Sequence, residues 1–228
     1  MGKLTRAVGR VTGSEPVFLL SEVKSRSPRD GDLLCGRDPA ALAREMVEAG
    51  ADGVSVVTEA EHFGGSDELL ATVREAVDVP ILAKDFVETR ADVDAAHSRG
   101  ADAILLISGD LDVDRLADLV DYCEDLGIDP LVETHTRAEV EVANGLRARL
   151  VGVNNRDIQQ LELDDSGVER TERLAPLVRS GARVVSESSL STREEVRRAV
   201  DAGADAVLVG TSILRASDPG EQIRRLRL

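Results

Sequence analysis

A short unit, Gly-Ala-Asp followed by an apolar run, occurs three times along the chain. The copies are "AGADGVSVVTE" (49–59), "RGADAILLIS" (99–108) and "AGADAVLVGTS" (202–212). Glycine adopts the left-handed conformation that ends a helix, and a short apolar run rich in β-branched residues is typical of a buried strand. Each copy therefore predicts a helix that ends at the glycine and leads into a strand.

Eight apolar runs of strand length extend this pattern over the chain. They are "VFLLSE", "GVSVVTE", "PILAK", "DAILLIS", "PLVETH", "LVGVNN", "RVVSES" and "AVLVGTS". Between them, apolar periodicity predicts helices over 38–49, 88–99, 112–126 and 191–202. The stretch after the sixth run predicts a loop followed by a helix.

Eight alternations of strand and helix predict an α/β fold, a (β/α)₈ TIM barrel that forms one domain over residues 1–228, with a short N-terminal extension. Strands that are apolar throughout fit a barrel covered by helices. The alternative is an open doubly wound sheet, but no glycine-rich G-x-G-x-x-G turn follows the first run. The pattern therefore favours the closed barrel.

The net charge of −15 restricts the partners of the protein. Nucleic acids and anionic membranes bind basic patches, so neither is expected as a partner. The chain has no apolar stretch of about 18 residues and no apolar signal region after "MGKLTRAVGR", which predicts a cytoplasmic protein. The acidic excess favours a halophilic protein in a salt-rich cytoplasm; the alternative is an ordinary acidic protein encoded by an Arg-rich genome.

Two cysteines, Cys35 and Cys123, are too few for a disulfide framework. The three histidines, His62, His97 and His135, are not grouped with them at metal-ligand spacing. We therefore predict no disulfide and no structural metal.

Polar residues stand at the C-terminal ends of the runs, which in a barrel meet at one catalytic rim. They include Glu22, Lys24, Thr58, Lys84, Ser108, Glu133, Asn154, Arg156, Glu187, Ser188, Gly210 and Thr211. Of 28 Lys and Arg residues only three are lysines, and Lys24 and Lys84 are two of them. Arginine would solvate the rim equally well but does not deprotonate, so an amine here indicates a proton donor or a compact cation.

Alternating carboxylates and amines shift each other's pKa values, which separates acid from base roles at neutral pH. Any one of these residues alone is better explained as a solvated side chain or half of an ion pair. Glu22, Lys24, Lys84, Glu133 and Glu187 together indicate proton transfer.

The eighth run ends in a turn that suits a phosphate. Gly210 can open the turn, and Thr211 can begin a helix whose N–H groups and hydroxyls bind an anion without net positive charge. The alternative is plain helix capping. Phe63 and Phe86 also fall on the rim, where they either pack the loops or line a pocket for a flat substrate.

In order along the chain, several rim motifs resemble the family of indole-3-glycerol-phosphate synthases of tryptophan biosynthesis. They are "SEVKSRSP", "HFGGS", "ILAKDF", "PLVETH", "GVNNRD", "VVSESSL" and "VLVGTSIL". The resemblance implies the family's ring closure. The anilino ring of 1-(2-carboxyphenylamino)-1-deoxyribulose 5-phosphate attacks the adjacent carbonyl, and CO₂ and water then leave.

The resemblance also implies the residue roles, without a metal or an organic cofactor. Lys84 would be the general acid and Glu133 the base or proton relay, with Glu22, Lys24 and Asn154 completing the catalytic set. Substrate-binding residues would be Arg156, Glu187, Phe63 and Phe86, and phosphate-binding residues Ser27, Ser188, Gly210 and Thr211. The implied partners are a small phosphorylated substrate and, further, other enzymes of tryptophan biosynthesis.

Two departures from the family pattern stand out. The family usually has glycine where this chain has Ser189, and a longer helical extension before the first strand. Here the loop "SRSPRDGDLL" could take over closure of the site.

Three different functions compete with the ring closure. Phosphoribosylanthranilate isomerase is the main one, but that family relies on a cysteine near the first strand end, and Cys35 lies well beyond it. A Schiff-base aldolase would use Lys84 as its nucleophile. A non-catalytic sugar-phosphate-binding protein would need Gly210 and Thr211 but would have no use for Lys84 and Glu133 together.

Overall fold

A computed structural model describes residues 2–9, 17–156 and 167–228. Eight parallel strands close into a barrel: β1 (Phe18–Val23), β4 (Gly53–Val57), β5 (Ile81–Lys84), β6 (Ala103–Ile107), β7 (Asp129–Thr134), β8 (Leu150–Asn154), β9 (Arg183–Glu187) and β10 (Ala206–Val209). Their order around the barrel is β1-β10-β9-β8-β7-β6-β5-β4, and β1 pairs with both β10 and β4. The predicted (β/α)₈ TIM barrel is confirmed.

Helices alternate with these strands. They are α1 (Lys3–Ala7), α2 (Pro39–Glu48), α3 (Asp67–Ala76), α4 (Arg90–Ser98), α5 (Val113–Leu126), α6 (Arg137–Gly145), α7 (Glu169–Leu174), α8 (Arg193–Asp201), α9 (Thr211–Leu214) and α10 (Pro219–Leu226). A 3₁₀ turn, Ala175–Leu177, extends α7. The loop predicted before α7 falls largely outside the described residues. None of the helices in the described ranges combines the length and apolar composition that a membrane span requires.

The loop after β1 forms a small hairpin on the rim. Its two-residue strands, β2 (Arg26–Ser27) and β3 (Gly31–Asp32), pair antiparallel. The backbone N–H of Arg26 donates to the carbonyl of Phe63, which joins the hairpin to the loop after β4. This hairpin occupies the segment that was expected to help close the site.

The core has two layers. One fills the barrel, with Leu20, Leu82 and Leu131 among its fully buried side chains. The other lies between the strands and the surrounding helices. Apolar side chains on both faces explain why the strand sequences are apolar throughout.

Helix α1 covers the N-terminal ends of the strands, opposite the rim. Its Leu4 and the following Val8 are buried against the interior layer. Asp129 of β7 fixes the start of the helix, because its carboxylate accepts hydrogen bonds from the N–H groups of Gly2 at 2.7 Å and Thr5 at 2.8 Å. The described part of the N-terminal extension therefore closes this end of the barrel.

The repeated Gly-Ala-Asp unit has one geometry in all three copies. The predicted left-handed glycines are confirmed, with φ of 109° at Gly50, 92° at Gly100 and 109° at Gly203. Each following aspartate, Asp52, Asp102 or Asp205, pairs twice with one residue of the preceding barrel strand. Its N–H donates to that residue's carbonyl, and its carboxylate accepts from the same residue's N–H at 2.9 to 3.0 Å. The aspartates thereby pin neighbouring strands at the N-terminal end of the barrel.

Candidate active site

The strand ends bring the predicted polar residues to one rim. Glu22, Glu133 and Glu187 lie within the last residues of β1, β7 and β9, and Lys84 ends β5. All three carboxylates are buried, with at most 3 % of each residue exposed. The barrel geometry therefore assembles acidic and basic groups from distant parts of the chain.

Ion pairs connect four of these residues. The Nζ of Lys24 lies 3.0 Å from a carboxylate oxygen of Glu22. The Nζ of Lys84 lies 3.2 Å from Glu187 and 3.7 Å from Glu22. Each amine thus has a carboxylate within direct reach, as the alternation of acids and amines in the sequence predicted.

Glu187 is the most enclosed member of the cluster. Burial raises its pKa, the Lys84 ammonium opposes that effect, and the charges of Glu133 and Glu22 add to it. One carboxylate oxygen of Glu187 is buried without a hydrogen-bond partner among the described residues. This oxygen lies in the space beside Gly152, and Glu187 borders neither of the two cavities described below.

Two glycines make room for this cluster. A Cβ on Gly210 would collide with a Glu22 carboxylate oxygen, and one on Gly152 would collide with a Glu187 carboxylate oxygen. Any larger residue would displace these carboxylates. Gly152 was not predicted as a site residue; its only signal is a glycine within the apolar run of β8.

An aromatic pocket lies beside the amines. It is lined by Glu22, Lys24, Val57, Glu59, Phe63, Lys84, Asp85, Phe86, Leu105, Ile107 and Glu133. The Nζ of Lys24 stands over the Phe63 ring, 5.6 Å from its centroid. Both predicted aromatic residues, Phe63 and Phe86, therefore border the same pocket as Lys84 and Glu133.

Two further acids shape this pocket, and sequence reasoning did not single them out. The Glu59 carboxylate accepts hydrogen bonds from the N–H groups of Glu61, His62 and Phe63 at 2.8 to 2.9 Å, which holds Phe63 in place. Asp85 accepts from the hydroxyl of Thr58 at 2.8 Å, and burial raises its pKa. No motif signal distinguishes either acid from the many others in this acidic chain.

A polar cleft of about 450 Å³ continues from the cluster towards the ends of β9 and β10. Its lining includes Glu22, Lys24, Arg29, Arg156, Ser188, Ser189, Gly210, Thr211 and Arg215. Gly210 precedes the short helix α9, as the sequence predicted. Three arginines around the cleft supply positive charge, which the sequence interpretation had not expected at an anion site.

Ser188 and Ser189 enter this cleft in a strained conformation. Their φ angles are 64° and 55°, the left-handed region that favours glycine. The hydroxyl of Ser189 is buried without a hydrogen-bond partner in the described part of the chain. Strained backbone of this kind is concentrated at functional sites.

Three predicted residues, Ser27, Asn154 and Glu187, line neither the aromatic pocket nor the polar cleft. The hydroxyl of Ser27 in the hairpin accepts from the N–H of Asp30 at 2.9 Å. Asn154 is fully buried, and its side-chain oxygen accepts from the N–H of Arg156 at 3.0 Å. It thus orients the start of the loop that carries Arg156 into the cleft.

Metal-ligand geometry does not occur within residues 2–9, 17–156 and 167–228, where no group of three or more His, Cys, Asp or Glu residues could hold an ion. Cys35 is exposed and Cys123 buried, and both are free thiols. The rim acids are instead interleaved with amines.

Comparison with known proteins finds relatives that match almost the whole chain. The family model for indole-3-glycerol phosphate synthase matches residues 5–226. The indole-3-glycerol phosphate synthases of Pyrococcus furiosus and Thermococcus kodakarensis are 40 % and 39 % identical, covering 97 % and 98 % of this chain and 95 % and 96 % of theirs. The Nocardioides enzyme of the same name is 44 % identical, covering 95 % of this chain and 81 % of its own.

A solved structure shares the fold at low sequence identity. A thiamine phosphate pyrophosphorylase from Pyrococcus furiosus superposes with a TM-score of 0.67 at 16 % identity, covering 92 % of this chain and 93 % of that one. This likeness bears on the barrel alone. The family model and the high coverage of the named relatives identify the family: the chain belongs to the indole-3-glycerol phosphate synthases.

Proposed function

We propose that this chain closes the indole ring of indole-3-glycerol phosphate from 1-(2-carboxyphenylamino)-1-deoxyribulose 5-phosphate, releasing CO₂ and water. The observation that carries the proposal is the Lys84 ammonium, which lines an aromatic pocket and pairs with Glu187 and Glu22. Glu22 and Lys24 line both this pocket and the neighbouring cleft, which carries three arginines. A substrate with an anilino ring at one end and a phosphate at the other matches both spaces.

Lys84 acts as the general acid in the first step. The ring carbon that bears the carboxylate bonds to the substrate's carbonyl carbon, while the carbonyl oxygen takes a proton from the Lys84 Nζ. A hydroxyl results, and CO₂ then leaves to restore the electron pair to the ring. The carboxylates around Lys84 keep the amine in its charged, proton-donating form.

Glu133 serves the dehydration as base or proton relay. Loss of the new hydroxyl as water requires one proton to be delivered to the oxygen and another to be removed from the ring system. Glu133 borders the same pocket as Lys84 and Lys24, so its carboxylate lies on the side where the ring would be bound. Lys24, paired with Glu22, is the second amine available to the developing hydroxyl.

Substrate placement is divided between the two ends. Phe63 and Phe86 hold the ring, and Arg156, which lines the polar cleft and is supported by Asn154, meets the carboxylate. The contact of Glu187 with the sugar hydroxyls is assigned by the resemblance to the family alone. The phosphate occupies the cleft formed by Ser188, Gly210 and Thr211. Ser27 contributes to phosphate binding indirectly, because its hydroxyl accepts from the N–H of Asp30 and so fixes the turn that contains Arg29.

The direct test is the formation of fluorescent product. Purified protein is given the carboxyphenylamino substrate, and indole-3-glycerol phosphate is followed by fluorescence together with CO₂ release in equal amounts. Phosphoribosylanthranilate is tested in parallel. Product from the first substrate alone supports the proposal, and turnover of phosphoribosylanthranilate alone contradicts it in favour of an isomerase.

The cellular setting is a separate proposal. We place the protein in a salt-rich cytoplasm, with other enzymes of tryptophan biosynthesis as further partners. Residues 1–228 are proposed to form one domain. A net charge of −15 supports adaptation to salt, because salt screens the self-repulsion of an acidic surface. The named relatives lend no support to a halophilic origin. Activity and unfolding temperature measured in low and high KCl test it, and equal values in both would contradict it.

A further inference from the structure

A chain of ionisable side chains leads from the buried Glu133 through the partly buried His135 and Glu139 towards the surface. The ring nitrogen Nε2 of His135 lies 3.3 Å from an oxygen of Glu133, and Nδ1 lies 3.4 Å from an oxygen of Glu139. Glu133 is 1 % exposed, and Glu139 lies in the first turn of α6. The imidazole thus stands between a carboxylate of the site and one nearer to solvent.

The His135 ring is held as a cation. Burial alone would lower its pKa, but the neighbouring carboxylates of Glu133 and Glu139, at 3.3 and 3.4 Å from its ring nitrogens, raise the pKa to about 10. Burial would raise the pKa of Glu139, but the hydrogen bonds from His135 and Thr136 outweigh it and lower that pKa to about 2. These two shifts favour an imidazolium at His135 beside a carboxylate at Glu139.

The ring is not needed to cap helix α6. Glu139 makes that cap through the backbone, accepting from the N–H of His135 at 2.7 Å and from the hydroxyl of Thr136 at 2.7 Å. Thr136 closes the cap by accepting from the N–H of Glu139. The two ring nitrogens face the carboxylates of Glu133 and Glu139. Capping of α6 therefore does not account for the position of the imidazole.

We propose that His135 is a positioning residue for Glu133, with Glu139 holding the imidazolium in place. The cation lies 3.3 Å from one Glu133 oxygen, without an aligned hydrogen bond between the two atoms, and compensates the charge of a carboxylate that borders the pocket it shares with Lys84. The other charged groups near Glu133 are Glu187 and the rim amines, which the substrate contacts during the reaction. This inference rests on the proposed function, because Glu133 has a catalytic task only if the ring closure occurs.

The first test replaces His135 by glutamine, which keeps polar atoms but removes the charge. We expect kcat to fall at least about tenfold with KM within about threefold, because positioning of a base acts mainly in the transition state. His97→Gln, at an exposed position of α4, is the matched control and should retain wild-type kinetics. A wild-type kcat for His135→Gln would overturn the inference. A loss of kcat that is fully explained by unfolding of the variant at the assay temperature would overturn it as well.

A second pair of measurements examines the charge. His135→Lys restores a cation and should recover part of the activity lost in His135→Gln; no recovery would contradict the role of the charge. NMR of the ring, assigned by its loss in His135→Gln, should show a doubly protonated imidazole at pH 8. In Glu139→Gln its titration midpoint should fall. A wild-type midpoint near the ordinary value of 6.5 would overturn the inference.

These results separate the inference from the proposed function. A wild-type protein that makes no indole-3-glycerol phosphate refutes the proposed ring closure and with it the task assigned to Glu133. An active wild type with an unimpaired His135→Gln variant refutes only the positioning role. The NMR titration tests the chain of ionisable side chains without any assay of activity.

Discussion

Both ends of the barrel carry carboxylates, but they use them differently. At the N-terminal end, Asp52, Asp102, Asp129 and Asp205 accept hydrogen bonds from backbone N–H groups. At the rim, a buried oxygen of Glu187 has no hydrogen-bond partner in the described ranges, and the carboxylates crowd around lysines. One end uses its acids to bind backbone segments together, whereas the other pairs its acids with lysines and places Glu22 and Glu133 at the cavities.

The difference follows from side-chain length and position. An aspartate that begins a strand reaches the free N–H of the adjacent strand and satisfies a donor that burial would otherwise orphan. A glutamate at a strand's C-terminal end reaches past the backbone into the open barrel mouth, where other side chains or a ligand meet it. We therefore expect substitutions at the two ends to separate stability from activity.

The largest effect is expected for Lys84→Met at the rim. Loss of the general acid should lower kcat by about 10²- to 10⁴-fold, while substrate affinity stays within about tenfold, because the amine acts mainly in the transition state. Steady-state kinetics and calorimetric titration with substrate measure the two quantities. Equal loss of binding and rate would contradict the assignment.

Lys3→Met makes the same change at the opposite end and serves as the control. Lys3 lies half-exposed in α1, where its Nζ donates to the carbonyl of Asp78 at 2.7 Å and lies 3.4 Å from Asp102. Wild-type kcat is expected. Inactivation comparable to that of Lys84→Met would show that the two ends are not separate in function.

The next largest effect is expected for Asp205→Ala, which removes one of the strand-pinning carboxylates. The N–H of Val184 then loses its 3.0 Å partner, and an orphaned buried donor costs about 1–3 kcal/mol of unfolding free energy. Urea denaturation measures the loss, and kcat below the unfolding transition should not change. Asp201→Ala, at an exposed position at the end of α8, should shift stability by less than about 0.5 kcal/mol. An impaired kcat with unchanged stability in Asp205→Ala would contradict the assignment of a purely stabilising role to the N-terminal end.

The smallest effect is expected for Ser189→Gly at the rim. Glycine accepts a φ of 55° without steric strain, so we expect the unfolding free energy to rise by about 0.5–1 kcal/mol with little change in KM. Ser191→Gly is the control: its hydroxyl donates to Glu195 at 2.8 Å, and its loss should destabilise the protein. A destabilised Ser189→Gly protein would show that the strain is offset by contacts of the serine.

The sequence predicted the barrel and most of the rim because both follow local rules. Glycine marks the helix ends and apolar runs mark the strands, so Lys84 and Glu187 could be placed at one edge without coordinates. The Gly-Ala-Asp copies were recognised as helix-to-strand units, yet the task of Asp205 was not, because its partner Val184 becomes a neighbour only when the sheet closes. Glu59 was overlooked for a similar reason: a carboxylate that gathers three N–H groups has no distinctive sequence pattern.

The most direct test of the division between the two ends is the unfolding free energy of Glu187→Gln at pH 8. Burial raises the pKa of Glu187 from 4.5 to about 7, so its contribution to stability is present below pH 4.5 and lost as the pH rises through about 7. At pH 8 the buried carboxylate of Glu187 carries an unfavourable negative charge in the wild type. In Glu187→Gln the Lys84 ammonium still has a carboxylate partner, because Glu22 lies 3.7 Å from its Nζ. We predict a protein with impaired turnover whose unfolding free energy is higher by about 1 kcal/mol. A value lower than that of the wild type would contradict the account, because it would show that the rim carboxylates stabilise the fold as the opposite end does.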